Sequence, residues 1–234
     1  MMRLDKFLCS CHTGTRTEVK KHIKAGAVTI NGTTATKPEQ KVDENSDIVL
    51  FRGKRLAYEQ FAYYLLYKEA GYVTAVSDSL HQTVMDELPA ELRGKVTPVG
   101  RLDKDTEGAL LFTNDGAFAH HILSPAHHVS KTYEAVLDRP VPESAIRQFA
   151  TGVDIGDDTP TLPAVLTLNA EATTATLTIS EGRYHQVKRM FSAVGCEVTY
   201  LKRLSIGTLT LEKMLPGECK KLTPAEVERL YKKH

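Results

Sequence analysis

Apolar residues at Leu4, Phe7, Leu8 and Cys11 recur with helical spacing and predict a short first helix, followed by a loop at His12 to Gly14. A second helix is predicted to start at Thr15. Thr15 and Glu18 form a Thr-x-x-Glu capping pair, Val19 and Ile23 supply an i,i+4 apolar pair, and Gly26 sits where a left-handed residue ends a helix. Val28 and Ile30 then alternate with polar residues ahead of Asn31-Gly32, a strong hairpin signal, and a further strand is predicted over Asp47 to Phe51. Residues 52–60 form a charged connector, beyond which longer strand-like runs begin with FAYYLLYKEAGYVTAV. The expected organisation is therefore two domains, residues 1–58 and 59–234.

In the second domain the pattern predicts strands at Lys131 to Leu137, Thr173 to Ser180 and Glu197 to Lys202. It predicts helices at Gly116 to Leu123, Glu143 to Ala150 and His185 to Val194. Strands follow one another without intervening helices, which predicts an α+β fold with a mixed, mainly antiparallel sheet flanked by helices rather than a doubly wound one. A last helix opens at Thr223-Pro224-Ala225-Glu226, with Val227, Leu230 and Tyr231 expected to be buried.

Composition adds little until it is divided along the chain. Of the 234 residues, 41% are hydrophobic and 25% charged, enough for a packed core. The net charge is +1, but residues 1–58 hold 11 Lys and Arg against 6 Asp and Glu, a net of +5, and the remainder has 19 against 23, a net of −4. A polyanion-binding module joined to a different kind of domain has this profile, and Arg16, Lys20 and Lys24 form one i, i+4, i+8 stripe suited to phosphates. The longest strongly apolar run, Phe61 to Tyr67, is too short to span a membrane, and the four cysteines are too scattered for a disulfide framework. A cytoplasmic protein with reduced thiols is expected.

Three segments could carry chemistry. In GRLDKDTEGALLFTNDG (Gly100 to Gly116), Arg101 and Asp103 flank Leu102, so an extended backbone points both to one side while Leu102 anchors the other in the core. Asp103, Asp105, Glu107 and Gly108 also fit the opening of a calcium loop, but its twelfth position is Asn114 and its second half is apolar, which argues against metal. In SEGRYHQVKRMFSAVG, Val187, Met190, Phe191 and Val194 form a core stripe, and Arg183, His185, Lys188 and Arg189 gather at its start. Cations beside a helix N-terminus are explained by an anion held nearby or by a solvated basic face, and spacing alone does not choose. The His120-His121 and His127-His128 pairs and the Cys9-Ser10-Cys11-His12 run lack metal-site spacing, and no P-loop, dinucleotide fingerprint, Gly-x-Ser-x-Gly or HExxH occurs.

Together these segments resemble the RsuA-like family of bacterial ribosomal-RNA pseudouridine synthases. MRLDKFL, the Thr15-Arg16 helix start and VTINGTTATKP resemble a small S4 (αL) RNA-binding module. GRLDKDTEGALLFTNDG, HHVSKTYEAVL and EGRYHQVKRMF resemble the family's three synthase motifs in order. The resemblance implies that Asp103 is the catalytic aspartate, Tyr133 the aromatic that packs on the target base, Lys188 the cation paired with Asp103, and Arg101 the residue that fills the space of the displaced base. It further implies RNA contacts through Arg3, Lys6, Arg16, Lys20 and Lys24 in the first domain and Arg183, His185 and Arg189 in the second. Where the family usually has Lys-Pro-x-Gly, this chain has Lys68-Glu69-Ala70-Gly71.

Uridine isomerisation exchanges the N1–C1′ bond for C5–C1′ with nothing gained or lost, so no cofactor is expected. A carboxylate serves it by stabilising, attacking or deprotonating the sugar. Motif wording is nearest to family members that act on one uridine of 16S rRNA, in a ribosomal subunit or assembly intermediate. The alternatives are a sibling acting on 23S rRNA and a non-catalytic ribosome-binding protein. A monomer with ribosomal RNA as partner is the expectation.

Overall fold

The computed structural model describes all residues except His12, Ala57 and 232–234, so the expected loop at His12 lies partly outside the described residues. The chain divides into two compact units, Met1–Phe61 and Ala62–His234.

The first unit runs β1 (Met2–Arg3), α1 (Leu4–Ser10), α2 (Arg16–Lys24), β2 (Val28–Ile30), β3 (Thr33–Thr34), β4 (Lys41–Val42), β5 (Val49–Phe51) and β6 (Lys54–Arg55). The capping pair forms as the sequence requires: Glu18 N–H donates to Thr15 Oγ1, and Thr15 N–H donates to the Glu18 carboxylate at 2.7 Å. Asn31 and Gly32 both take positive φ, the conformation of the tight turn that joins β2 to β3 in register. Leu4, Leu8, Val19, Ile23, Val28, Val42 and Val49 close a small core, which leaves the polar face of α2 to solvent.

The second unit contains β7 (Tyr63–Lys68), α3 (Val84–Glu87), β8 (Thr97–Val99), β9 (Glu107–Thr113), α4 (Gly116–Leu123), β10 (Lys131–Leu137), α5 (Ser144–Thr151) and β11 (Val165–Leu168). It continues with β12 (Thr174–Ile179), α6 (Gln186–Ala193), β13 (Val198–Ile206), β14 (Leu209–Thr210), β15 (Cys219–Lys221) and α7 (Pro224–Tyr231). The main sheet has the order β11-β12-β10-β13-β9-β7-β15, with β14 on β13 and β8 on β9. Every pairing is antiparallel except β13 with β9. This is the mixed, mainly antiparallel α+β architecture that the sequence pattern predicts.

Both sheet faces are covered, because adjacent residues point to opposite sides. Leu66, Leu110 and Phe112 pack with Phe149 of α5 and with Met190 and Phe191 of α6, while Leu65, Ala109 and Leu111 pack with Phe118 and Ile122 of α4 and Leu230 of α7. Two expectations are corrected here. Tyr231 is 42% exposed, since its ring lies edge-on to Phe118 at the rim of the core rather than inside it. The strand expected to end at Lys202 continues to Ile206 and so takes in Arg203, because its pairing with β10 runs that far. Among the described residues no helix is long and apolar enough to cross a membrane.

Candidate active site

The site is built on one row across the middle of the sheet. Tyr133 of β10 is the register partner of Arg203 in β13, Arg203 that of Gly108 in β9, and Gly108 that of Lys68 in β7. β13 passes so close to Gly108, whose φ is +112°, that a Cβ there would collide with the Arg203 backbone. Glycine is required at this crossing of loop and strand.

The polar loop that leads into β9 is held from beneath. Leu102 is buried, and Thr74 Oγ1 both donates to the Leu102 carbonyl at 2.7 Å and accepts from the Leu102 N–H at 3.1 Å. Arg101 and Asp103 are thereby turned outward on either side of it, Arg101 exposed and the Asp103 side chain 26% exposed. Lys68 is completely buried, and its ammonium donates to the carbonyls of Glu69 and Thr106 at 2.8 Å and lies 3.4 Å from that of Lys104. Burial pushes the Lys68 ammonium down to about 8, against the pull of Glu87 and the loop carboxylates. The Lys68-Glu69-Ala70-Gly71 turn, which lacks the family's proline, is thus fixed by hydrogen bonds instead: Gly71 N–H to Lys104 O at 2.7 Å and Glu69 N–H to Glu87 at 2.8 Å.

Asp103 meets two side chains at the start of α6. Lys188 Nζ lies 3.4 Å from Asp103 Oδ2, and His185 Nε2 lies 3.4 Å from Asp103 Oδ1. The Lys188 ammonium is shared unequally, because it makes its short bonds, 2.6 and 2.8 Å, to the Asp105 carboxylate. Burial works against that ammonium, but the Asp105 hydrogen bond and the charges of Asp103 and Asp105 outweigh it and raise the Lys188 pKa. The expected Lys188–Asp103 contact is therefore one arm of a three-member cluster. His185 takes a left-handed φ of +48°, which directs its ring to Asp103 and stacks it on exposed Tyr184 at a 3.9 Å centroid separation.

Arg101, Asp103, Lys131, Tyr133, Lys188 and Arg203 all line one cavity of about 600 Å³, ample for a nucleotide. The Tyr133 ring is nearly buried, the Arg203 guanidinium lies 5.9 Å from its centroid, and Arg203 Nη1 approaches the phenol oxygen at 3.4 Å. Sequence reasoning missed Lys68, Asp105, Lys131 and Arg203. A signal existed for Arg203: it occupies the apolar phase of its strand, two residues after buried Leu201, where a charge needs a reason.

The remaining cations differ in what surrounds them. Arg183 donates to Glu181, to Thr159 O at 2.6 Å and to Pro160 O at 2.8 Å, and Arg189 donates to Ile155 O, Tyr184 O and Asp157. Both guanidiniums therefore have internal partners. Arg3 is forked onto Asp5 at 2.8 and 3.0 Å, whereas Lys6, Arg16, Lys20 and Lys24 are exposed.

One cleft of the second unit thus joins an acidic loop, a tyrosine and a basic helix start. Residues 62–193 match the RNA pseudouridylate synthase family and residues 2–48 the S4 domain; the chain belongs to that family. It is 47% identical to an uncharacterized RNA pseudouridine synthase of Bacillus subtilis (strain 168), over 98% of each chain. It is 41% identical to the ribosomal small subunit pseudouridine synthase A of Escherichia coli (strain K12), over 97% of this chain and 98% of that one. A crystal structure of a pseudouridylate synthase superposes with a TM-score of 0.69 at 39% identity, covering 98% of this chain and all of the other. The chain is accordingly an isomerase of the pseudouridine synthase type.

Proposed function

We propose that the chain isomerises one uridine of 16S rRNA, with residues 1–58 gripping the RNA and residues 59–234 performing the reaction; relatives matched along nearly their full length are named ribosomal small subunit pseudouridine synthase A. The observation that carries the chemical part is Asp103, turned into the cleft by its Leu102 anchor and bracketed by Lys188 and His185. A carboxylate in such a place faces C1′ and C2′ of an extruded nucleotide, where positive charge develops as the glycosidic bond lengthens. Lys188 sets a positive charge 3.4 Å from it. Two unit charges ~4 Å apart attract by roughly 4 kcal/mol at an effective dielectric of about 20.

Tyr133 offers its ring to the base, a contact worth about 1–3 kcal/mol by analogy with single-strand binders, and Arg101 at the exposed rim enters the space the base vacates. Arg16, Lys20 and Lys24 supply phosphate contacts, with Lys6 and Arg3 on the same unit. The protein then works as a monomer in the cytoplasm, where its ribosomal substrate is made.

Release of tritium from 5-labelled uridine in 16S and 23S transcripts or subunits tests this. Release from one 16S position is expected, lost by at least about a thousandfold in Asp103→Asn, and reduced about a hundredfold in Lys188→Met with RNA affinity within threefold. Undiminished release by Asp103→Asn overturns the catalytic assignment. Release from 23S alone overturns the substrate.

A further inference from the structure

The cavity contains cations that the chemistry above does not use. Asp103, Lys188 and His185 stand on one wall; Lys131, Tyr133 and Arg203 come from the sheet. Arg203 is 4% exposed, and one arm is engaged, Nε donating to Ala109 O at 2.6 Å. Its Nη2 is buried and has no hydrogen-bond partner among the described residues. Lys131 is 8% exposed, lies two residues before Tyr133 on the same face of β10, and its ammonium makes no hydrogen bond or ion pair among the described residues. Glu181, the nearest acid felt by Lys131, has its oxygens engaged by Leu162 N–H, Gln186 and Arg183. A buried guanidinium with an orphaned arm and a nearly buried ammonium, side by side in one cavity, are costly for a fold to keep without a partner.

The reaction supplies one. When the N1–C1′ bond breaks, its electron pair leaves with the base, so negative charge appears on the uracil, spread over N1, O2 and O4, as positive charge appears on the sugar. The base later forms the C5–C1′ bond, gives up the C5 proton and takes a proton on nitrogen, so atoms and electrons balance without a co-reactant. We infer that Arg203 Nη2, with Lys131 beside it, binds a carbonyl oxygen of the target uracil and stabilises the base as a leaving anion. The site is divided by charge: the carboxylate serves the sugar and the sheet cations serve the base. A base lying along the Tyr133 ring brings a carbonyl toward the phenol end, where Arg203 already sits 3.4 Å from the hydroxyl. This assignment rests on the isomerase reading and adds the recognition and activation of the departing base.

Leaving-group dependence separates this role from one in which Arg203 merely props Tyr133. Single-turnover rates at saturating enzyme are measured on rRNA transcripts made with uridine or with 5-fluorouridine, whose base is the more stable anion, and N1–C1′ cleavage is counted by nucleoside analysis. Arg203→Met is expected to slow the uridine reaction about a hundredfold and the 5-fluorouridine reaction about tenfold, with RNA affinity within threefold and partial recovery in Arg203→Lys. Lys131→Met shows the same trend at about tenfold and threefold. It decides the matter alone if Arg203→Met does not fold. Equal losses on both bases, or no loss, overturn the inference. Asp103→Asn is inactive on both bases in either case, so failure here is distinguishable from failure of the isomerase assignment.

Discussion

Arg16, Lys20 and Lys24 along α2, and Arg183 and Arg189 around the start of α6, are both groups of cations gathered beside a helix. On α2 the three side chains are exposed and make no ion pair among the described residues. Around α6 the two guanidiniums hold the carbonyls of Ile155, Thr159 and Pro160 and the carboxylates of Asp157 and Glu181, stitching the segment before β11 to the site helix. The difference lies in the neighbours. The segment before β11 offers carbonyl and carboxylate oxygens to Arg183 and Arg189, and the α2 cations make no ion pair among the described residues.

Removing a stitched cation should produce the largest effect. Arg183→Met leaves the nearly buried Glu181 short of its charged partner and two carbonyls short of donors, a loss of about 2–3 kcal/mol. Thermal unfolding of the full chain should fall by roughly 5–10 °C, while RNA affinity of the folded protein at low temperature changes less than twofold. A large affinity loss with unchanged melting would place Arg183 among the RNA contacts and erase the contrast.

Removing the free cations should act on binding alone. Arg16→Ala, Lys20→Ala and Lys24→Ala combined should weaken rRNA binding about tenfold near physiological salt, lower the slope of log Kd against log salt by about two, and leave the melting temperature in place. An unchanged salt slope would mean that the exposed stripe is only a solvated face.

The smallest effect separates Lys188, whose carboxylate partners raise its pKa, from Lys131, which burial and Arg203 hold down at about 8 against the pull of Glu181. Below pH 8 both are charged; as the pH passes 8 only Lys131 of the two discharges. The single-turnover rate should then fall about fivefold between pH 7.5 and 9, and Lys131→Met should be flat there. Stability should move the opposite way. Burial holds Lys131 and Lys68 near 8 in the folded chain, below the ordinary lysine value of 10.5, so the unfolded chain holds more protons between those limits and folding gains as pH rises through them. A rate that falls equally in Lys131→Met would transfer the effect to Lys68.

What could be read along the chain was local. The α2 capping pair, the Asn31-Gly32 turn, the strand Lys131–Leu137 and the helix Gly116–Leu123 each rest on spacing within a few residues, and the structure has them where the pattern puts them. Leu102 as a buried anchor followed from the same alternation. The missing parts depend on pairings between distant strands. Lys68 looks like a turn residue until β7 pairs with β9 and brings the carbonyl of Thr106 to it. Arg203 looks like a charge past the end of a strand until β13 is seen lying between Tyr133 and Gly108. The preference of Lys188 for Asp105 over Asp103 is a matter of about an ångström, below anything a motif encodes.

Lys68 also bears on which molecule yields when enzyme and substrate meet. An ammonium with no exposed surface, tied to main-chain oxygens of the acidic loop, would have to be wetted before that loop could swing away. Opening the loop is therefore the harder deformation, and the pocket keeps its shape between encounters. The bending, unstacking and rotation of the nucleotide fall to the RNA, and sequences that are already loose at the target uridine present the lower barrier.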